Sequence, residues 1–249
     1  MSANRSSEPS AEIEELLQGK LPAREEARRE DVVACGVPPE FVHVRGNGFP
    51  EPAPNGGGEL RSQLSIPDGA SVVLYVGRIA TGKGIEHVVA AARELPDAHV
   101  VVVGPDDRHG TGRLLEGERV HVLPVTSEPP LQLYRQADVF VLPSAGESFG
   151  MAAAEAAAAG TPVIVSDRCG IAGFFRDGEA LVVPYGRDAV VGAIRRVLAD
   201  GELRERLARG GLEAARRTSW DGVTDRQEEI YRSVLASRTA ATKLSTDDS

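Results

Sequence analysis

The sequence predicts an α/β fold: a single Rossmann-like doubly wound domain with a mainly parallel six-stranded sheet and an N-terminal helical extension. Three observations carry that expectation. Six short runs are continuously apolar apart from His99 and His121 rather than alternating, as strands covered on both faces must be. Stretches with helical spacing of apolar residues separate several of them, and right-handed crossovers between such units build a parallel sheet. The three segments richest in unusual residues, Gly77 to Gly84, Ser144 to Gly150 and Ser166 to Gly170, each follow a strand. Those positions form the carboxyl edge of the sheet, where ligands of open parallel sheets bind.

In chain order, residues 1–10 are polar and predict disorder. Residues 11–34 are charged and helix-prone, and Phe41-Val-His-Val44 reads as one short strand. Between Gly46 and Leu60 the density of Gly, Pro and Asn marks a hinge or linker. The strands of the sheet are then Val72–Val76, His99–Val103, Val120–Leu123, Val139–Leu142, Val163–Val165 and Leu181–Val183. A helix follows the first strand, with Ile85, Val88, Val89, Ala92 and Leu95 on one face, and a short one spans Leu131–Ala137. After the fourth strand an Ala-rich helix is expected to open on Glu147 and to stop at Gly160 and Pro162. Three helical patterns close the chain, at 188–199, 202–217 and 219–236. The expected partition is therefore 1–48 as start and extension, 49–62 as linker, 63–218 as the main domain, 219–236 as a final helix, and 237–249 as a disordered tail.

Bulk properties narrow the function. The 249 residues suffice for one good core. A net charge of −9 argues against a nucleic-acid surface, which needs clustered Lys and Arg. No apolar run reaches membrane-spanning length, which leaves room only for peripheral membrane contact, and the N-terminus lacks the apolar core of a signal peptide. Cys35 and Cys169, the only two cysteines, make neither a disulfide framework nor a metal site. A reduced, cytoplasmic setting is the expectation. Only three of the 28 basic residues are lysines, Lys20, Lys83 and Lys243, so Lys83 inside a tight Gly-rich loop stands out.

Gly77-Arg-Ile-Ala-Thr-Gly82-Lys83-Gly84 sets a planar fork of donors, Arg78, beside a mobile point charge, Lys83. Neighbouring phosphates suit that combination, although two solvated surface cations would read the same way. The spacing nearly satisfies the phosphate-loop pattern G-x-x-x-x-G-K-[ST]. Position 84, however, is Gly, so the hydroxyl that would hold Mg²⁺ is absent. Glu147 and Glu155 lie eight residues apart. On one continuous helix they would be separated by a rise of about 12 Å and a rotation of about 80°. Ionised carboxylates only accept hydrogen bonds, so the pair suits a ligand rich in hydroxyls. A stabilising charge at a helix start is the plainer role for Glu147. An anion beside many hydroxyls describes a nucleotide sugar.

From about Val42 to Leu235 the chain resembles the C-terminal, donor-binding half of retaining GT-B glycosyltransferases of the large family 4, or "glycosyl transferases group 1", type. The matching pieces run in the family's order: Asn47-Gly48, Val76-Gly-Arg78 with Lys83-Gly84, and Ala137-Asp-Val-Phe-Val-Leu-Pro-Ser144. Glu147-Ser-Phe-Gly150 with Glu155, Ala159-Gly-Thr-Pro-Val-Ile164, Asp177-Gly178 and the last helix from Ser219-Trp220 to Tyr231 complete it. The resemblance implies one half of a GT-B fold and a nucleotide-diphosphate sugar as donor, without metal or other cofactor. It implies catalytic roles for Arg78, Lys83 and Glu147: the two cations hold the departing diphosphate while Glu147 meets hydroxyls of the transferred sugar. Donor binding would draw on Gly77, Arg78, Lys83, Glu147, Ser148, Phe149, Gly150 and Glu155. Glu155 would take the ribose hydroxyls, and backbone N–H groups around Phe149 and Gly150 the sugar or β-phosphate. Two departures stand out, Gly173 where the family carries an acid and Gly46 where it carries Pro. Residues 11–48 resemble only the end of the family's first domain. The expected partners are therefore the donor and either a separate N-terminal, acceptor-binding chain or a second copy. A nucleotide-sugar-binding protein without turnover is the alternative, and a phosphate-loop nucleotidase a distant third.

Overall fold

A computed structural model describes residues 25–43, 47–51, 59–105, 115–124 and 130–247. The expected disordered start, Val44 and Gly46, residues 52–58 of the linker, Asp106-Asp107, which after Gly104-Pro105 read as a turn and not a metal site, and residues 125–129 lie outside the described residues.

Six strands form one sheet in the order β3-β2-β1-β4-β5-β6, every neighbouring pair parallel. They are β1 (Ser71–Val76), β2 (Ala98–Val103), β3 (Val120–Leu123), β4 (Val139–Leu142), β5 (Val163–Ser166) and β6 (Leu181–Val183). All residues of β2, β4 and β5 are buried, which accounts for text that is apolar except at His99 and Ser166. Growth of the sheet reverses direction between β1 and β4, the place where parallel sheets of this type open a crevice.

The helices are α1 (Glu25–Ala34), α2 (Leu60–Gln63), α3 (Ile85–Glu94), α4 (Pro130–Arg135), α5 (Met151–Ala158), α6 (Arg187–Ala199), α7 (Gly201–Arg217) and α8 (Trp220–Asp247). Right-handed crossovers put α3, between β1 and β2, on one face of the sheet and α5, between β4 and β5, on the other. Accordingly α6 packs on α3, whereas α4 and α7 pack on α5. The alanine run of α5 follows from that crowding, for Ala153, Ala154, Ala156, Ala157 and Ala158 are all buried. A Cβ on Gly211 of α7 would sit 3.3 Å from Ala157 Cα. Small residues on both helices thus set the close approach.

Four expectations need correction. Pro39–Phe41 forms a 3₁₀ turn in place of the start of a strand at Phe41–Val44, since Pro38 and Pro39 favour a turn and withhold ladder donors. Both ends of the expected linker are anchored. Phe49 is buried and its N–H donates to Thr218 O, while Leu60 is buried in α2 and its N–H donates to Gln136 Oε1. The last helix continues to Asp247, beyond the expected end at 236, because no Gly or Pro interrupts residues 223–247. Finally, the Ala-rich helix starts at Met151 and not at Glu147.

Candidate donor site

That last correction fixes the local geometry. Gly150 caps α5 with φ +111°, a left-handed conformation that ends the preceding loop before the helix can reach back to Glu147. Glu147 instead sits in the loop, bridged to Cys169: its N–H donates to Arg168 O, and Gly170 N–H donates to its carbonyl. The E-x7-E pair therefore spans a loop and a helix, and the single-helix rise and rotation do not apply.

Backbone contacts join the three carboxyl-edge segments into one unit. Ala145 N–H donates to Gly82 O at 2.8 Å, tying the loop after β1 to the loop after β4. Ile171 N–H donates to Phe149 O at 2.7 Å, tying the loop after β4 to the turn after β5. Gly84 makes the first of these joints possible. It caps α3 with φ +68°, and a Cβ there would lie 2.0 Å from Pro143 O.

Between these loops lies a cavity of about 230 Å³ lined by Tyr75, Val76, Gly77, Arg78, Lys83, Leu142, Glu147, Gly150, Met151 and Ala152. Lys83 Nζ donates to Glu147 Oε2 at 2.6 Å, with the two side chains 20% and 24% exposed. Tyr75 Oη donates to Arg78 O at 2.9 Å. Burial pushes the Tyr75 phenol well above its ordinary value and the Glu147 charge pushes it further, so the hydroxyl remains a donor. Burial likewise raises the Cys169 thiol, which favours the neutral form beneath the loop.

Of the residues singled out in the sequence, Gly77, Arg78, Lys83, Glu147 and Gly150 share this lining. Ser148 is exposed and outside it. Phe149 is buried, its ring edge-on to Phe49 at 6.3 Å and Phe174 at 5.1 Å, so its side chain serves the core. Glu155 lies on α5 three residues beyond the lining Ala152. Its Oε2 accepts from Tyr134 Oη at 2.7 Å. Tyr134 is fully buried, and burial first, then the Glu155 charge, keeps its phenol protonated. Sequence reasoning missed Tyr134 and the lining side chains Tyr75, Leu142 and Met151. A lone tyrosine inside an aliphatic strand was the one available hint. Among the described residues, no group of three or more His, Cys, Asp and Glu side chains is placed to hold a metal ion, and no helix is long and apolar enough to cross a membrane.

Comparison with known proteins agrees with the fold. Residues 58–213 match the family described as "Glycosyl transferases group 1". The chain is 36% identical over 216 residues to a D-inositol 3-phosphate glycosyltransferase of Acidothermus cellulolyticus, covering 76% of this chain and 47% of the relative. A D-inositol 3-phosphate glycosyltransferase of Xylanimonas cellulosilytica is 34% identical, covering 87% of this chain and 57% of the relative. Among solved structures, sucrose-phosphate synthase from Thermosynechococcus elongatus is 32% identical with TM-score 0.61, covering 72% of this chain and 49% of that one. The Anabaena protein HepE, solved in complex with UDP and glucose, shares the fold at TM-score 0.71 and 21% identity, covering 86% of this chain and 62% of that one. The chain spans about half the length of the curated relatives it matches.

Proposed function

The chain belongs to the glycosyl transferases group 1 family, and from that premise we propose that it binds a nucleotide-diphosphate sugar for transfer, with retention, to an acceptor. One observation carries the proposal: Arg78, Lys83 and Glu147, from two different loops, line a single cavity at the carboxyl edge of the sheet. Arg78 and Lys83 neutralise the diphosphate and stabilise it as it leaves, and such electrostatic assistance is a large term in transfers of this kind. Glu147 accepts hydrogen bonds from hydroxyls of the sugar. Glu155, with one carboxylate oxygen engaged by Tyr134, offers the other to the ribose. No metal or cofactor is invoked.

The acceptor side of the cleft belongs to a second lobe outside the described sheet, on another chain or in further sequence. The length of the relatives supports that reading. Exposed Trp220, Tyr231 and Leu235 on α8 are the apolar surface through which such a lobe, or a second copy, would be engaged. A cytoplasmic setting fits the proposed donor.

Thermal denaturation with UDP-, GDP- and ADP-glucose and GDP-mannose tests the donor site. The cognate compound is expected to stabilise the fold by about 2.7 kcal/mol at a hundred times its Kd. Lys83→Ala and Glu155→Gln should each reduce that gain. Failure of every nucleotide sugar at millimolar concentration, or undiminished gains in both variants, would reject the assignment. Binding without transfer to any acceptor, once the second lobe is supplied, would favour the non-catalytic alternative.

A further inference from the structure

The Lys83–Glu147 pair sets a condition on any anion entering the cavity. Lys83 is already held by a carboxylate at 2.6 Å, and both side chains line the same 230 Å³ space as Arg78. A phosphate that reaches Lys83 must therefore approach Glu147 as well. The two diphosphate species of a sugar transfer differ in what they present at that point. A nucleotide sugar ends in a hydroxyl-bearing ring esterified to the β-phosphate, and its hydroxyls can donate to Glu147. A nucleoside diphosphate ends in a bare phosphate. That group carries close to one further negative charge at neutral pH and has few protons to donate. An ionised carboxylate accepts hydrogen bonds and donates none, so it welcomes the first and repels the second.

Resting on the donor-site reading above, we propose that Glu147 is a specificity-determining residue that discriminates nucleotide sugar from nucleoside diphosphate, lowering affinity for the spent product. Lys83 alone would hold both species, and more tightly the more highly charged one. The ion pair reverses that preference: sugar hydroxyls replace Lys83 as partners of Glu147 and release the ammonium to the diphosphate. When the sugar has left, Glu147 reclaims Lys83 and the product loses its cation. The gating resides in one carboxylate and requires no movement of the sheet.

Isothermal titration of wild type, Glu147→Gln, Glu147→Asp and Lys83→Gln tests this with UDP, GDP and ADP, each against its glucose conjugate. Glu147→Gln should bind the nucleoside diphosphate about fivefold more tightly and the nucleotide sugar about fivefold less tightly, inverting the ratio. Glu147→Asp keeps the charge and should keep the wild-type preference. Lys83→Gln should weaken both ligands. Equal weakening of both ligands in Glu147→Gln would overturn the proposal and leave Glu147 as a support for Lys83. So would a wild type that prefers the nucleoside diphosphate. Absence of binding by all six compounds to wild type would instead remove the donor site itself. Circular dichroism of each variant guards against unfolding, and Glu147→Ser, which also removes the charge and should shift the ratio the same way, decides the matter if Glu147→Gln fails to fold.

Discussion

Glu179 and Arg217 illustrate how a single buried charge is made tolerable. Glu179 has a side chain only 7% exposed, yet its carboxyl is held below the usual 4.5. Burial alone pushes it upward. Hydrogen bonds from the Arg217 guanidinium and from Arg176 N–H, with the charges of both arginines, outweigh that push. Because the folded value is the depressed one, this contribution to stability is complete above the usual carboxylate range and is lost as pH falls through the folded value. Arg217→Ala leaves the buried carboxylate with the Arg176 N–H but without its guanidinium partner. With Arg217 itself 29% exposed, the loss should lie at the low end for buried pairs, about 3 kcal/mol. A fall in Tm of about 6–12 °C is expected, measured at pH 7. An unchanged Tm would mean that water solvates Glu179 in the variant. The pair joins the turn before β6 to the last turn of α7, positions with no visible sequence relationship. Charged residues on a helix face and in a turn read as solvated until the fold brings them together.

Strands proved more legible than helix starts. The apolar runs predicted every strand of the sheet to within a residue at either end, and in the central strands burial on both faces leaves no alternation to misread. The start of α5 was harder. Glu147-Ser-Phe-Gly150 runs directly into the alanine stretch, and the left-handed Gly150 and the burial of Phe149 against Phe49 and Phe174 keep it out of the helix. Phe49 comes from the far end of the linker, a contact no local window contains. The cavity shows the same division: its cations and carboxylate were visible, whereas its apolar lining was indistinguishable from core. Between β2 and β3 lies a second feature of this scale. His99 Nδ1 and His121 Nε2 are 3.0 Å apart across the strand pair, with Arg119 and Arg61 near His99. Burial lowers both imidazoles from 6.5, and Arg119 then lowers His99 further, as His99 does His121. The unfolded chain therefore binds protons first, and the stability of this strand pair is complete above 6.5 and declines as pH falls below it. Tm should drop between pH 7.5 and 5.5, and His99→Val with His121→Val should flatten that slope. An equal slope in the double variant would place the pH response elsewhere.

At the scale of the whole molecule, stability is unevenly distributed. Strands β1, β2, β4 and β5 lie in a continuous core flanked by helices, while in α8 Val223 is the one buried apolar residue between 220 and 236. Tyr231, Val234 and Leu235 of the same helix are exposed. A helix with so little tertiary contact retains only its marginal intrinsic stability. Amide hydrogen exchange should therefore be fast over 224–236 and slowest in β1, β2, β4 and β5. Protection of 224–236 equal to that of the sheet in the isolated chain would show that its apolar face is already covered by another copy.

The all-parallel sheet also carries a kinetic consequence. No two strands can meet through a tight hairpin, and the central seam pairs Val73 with Val139, residues far apart in the chain. Loop closure must precede any reward from that seam, so the order of assembly is set by chain entropy more than by local preference. Until β4 arrives, the edge of β1 stands open as a template for the wrong strand. The reversal that opens the ligand crevice in the finished molecule is thus also the step at which an unfinished one is most exposed to aggregation.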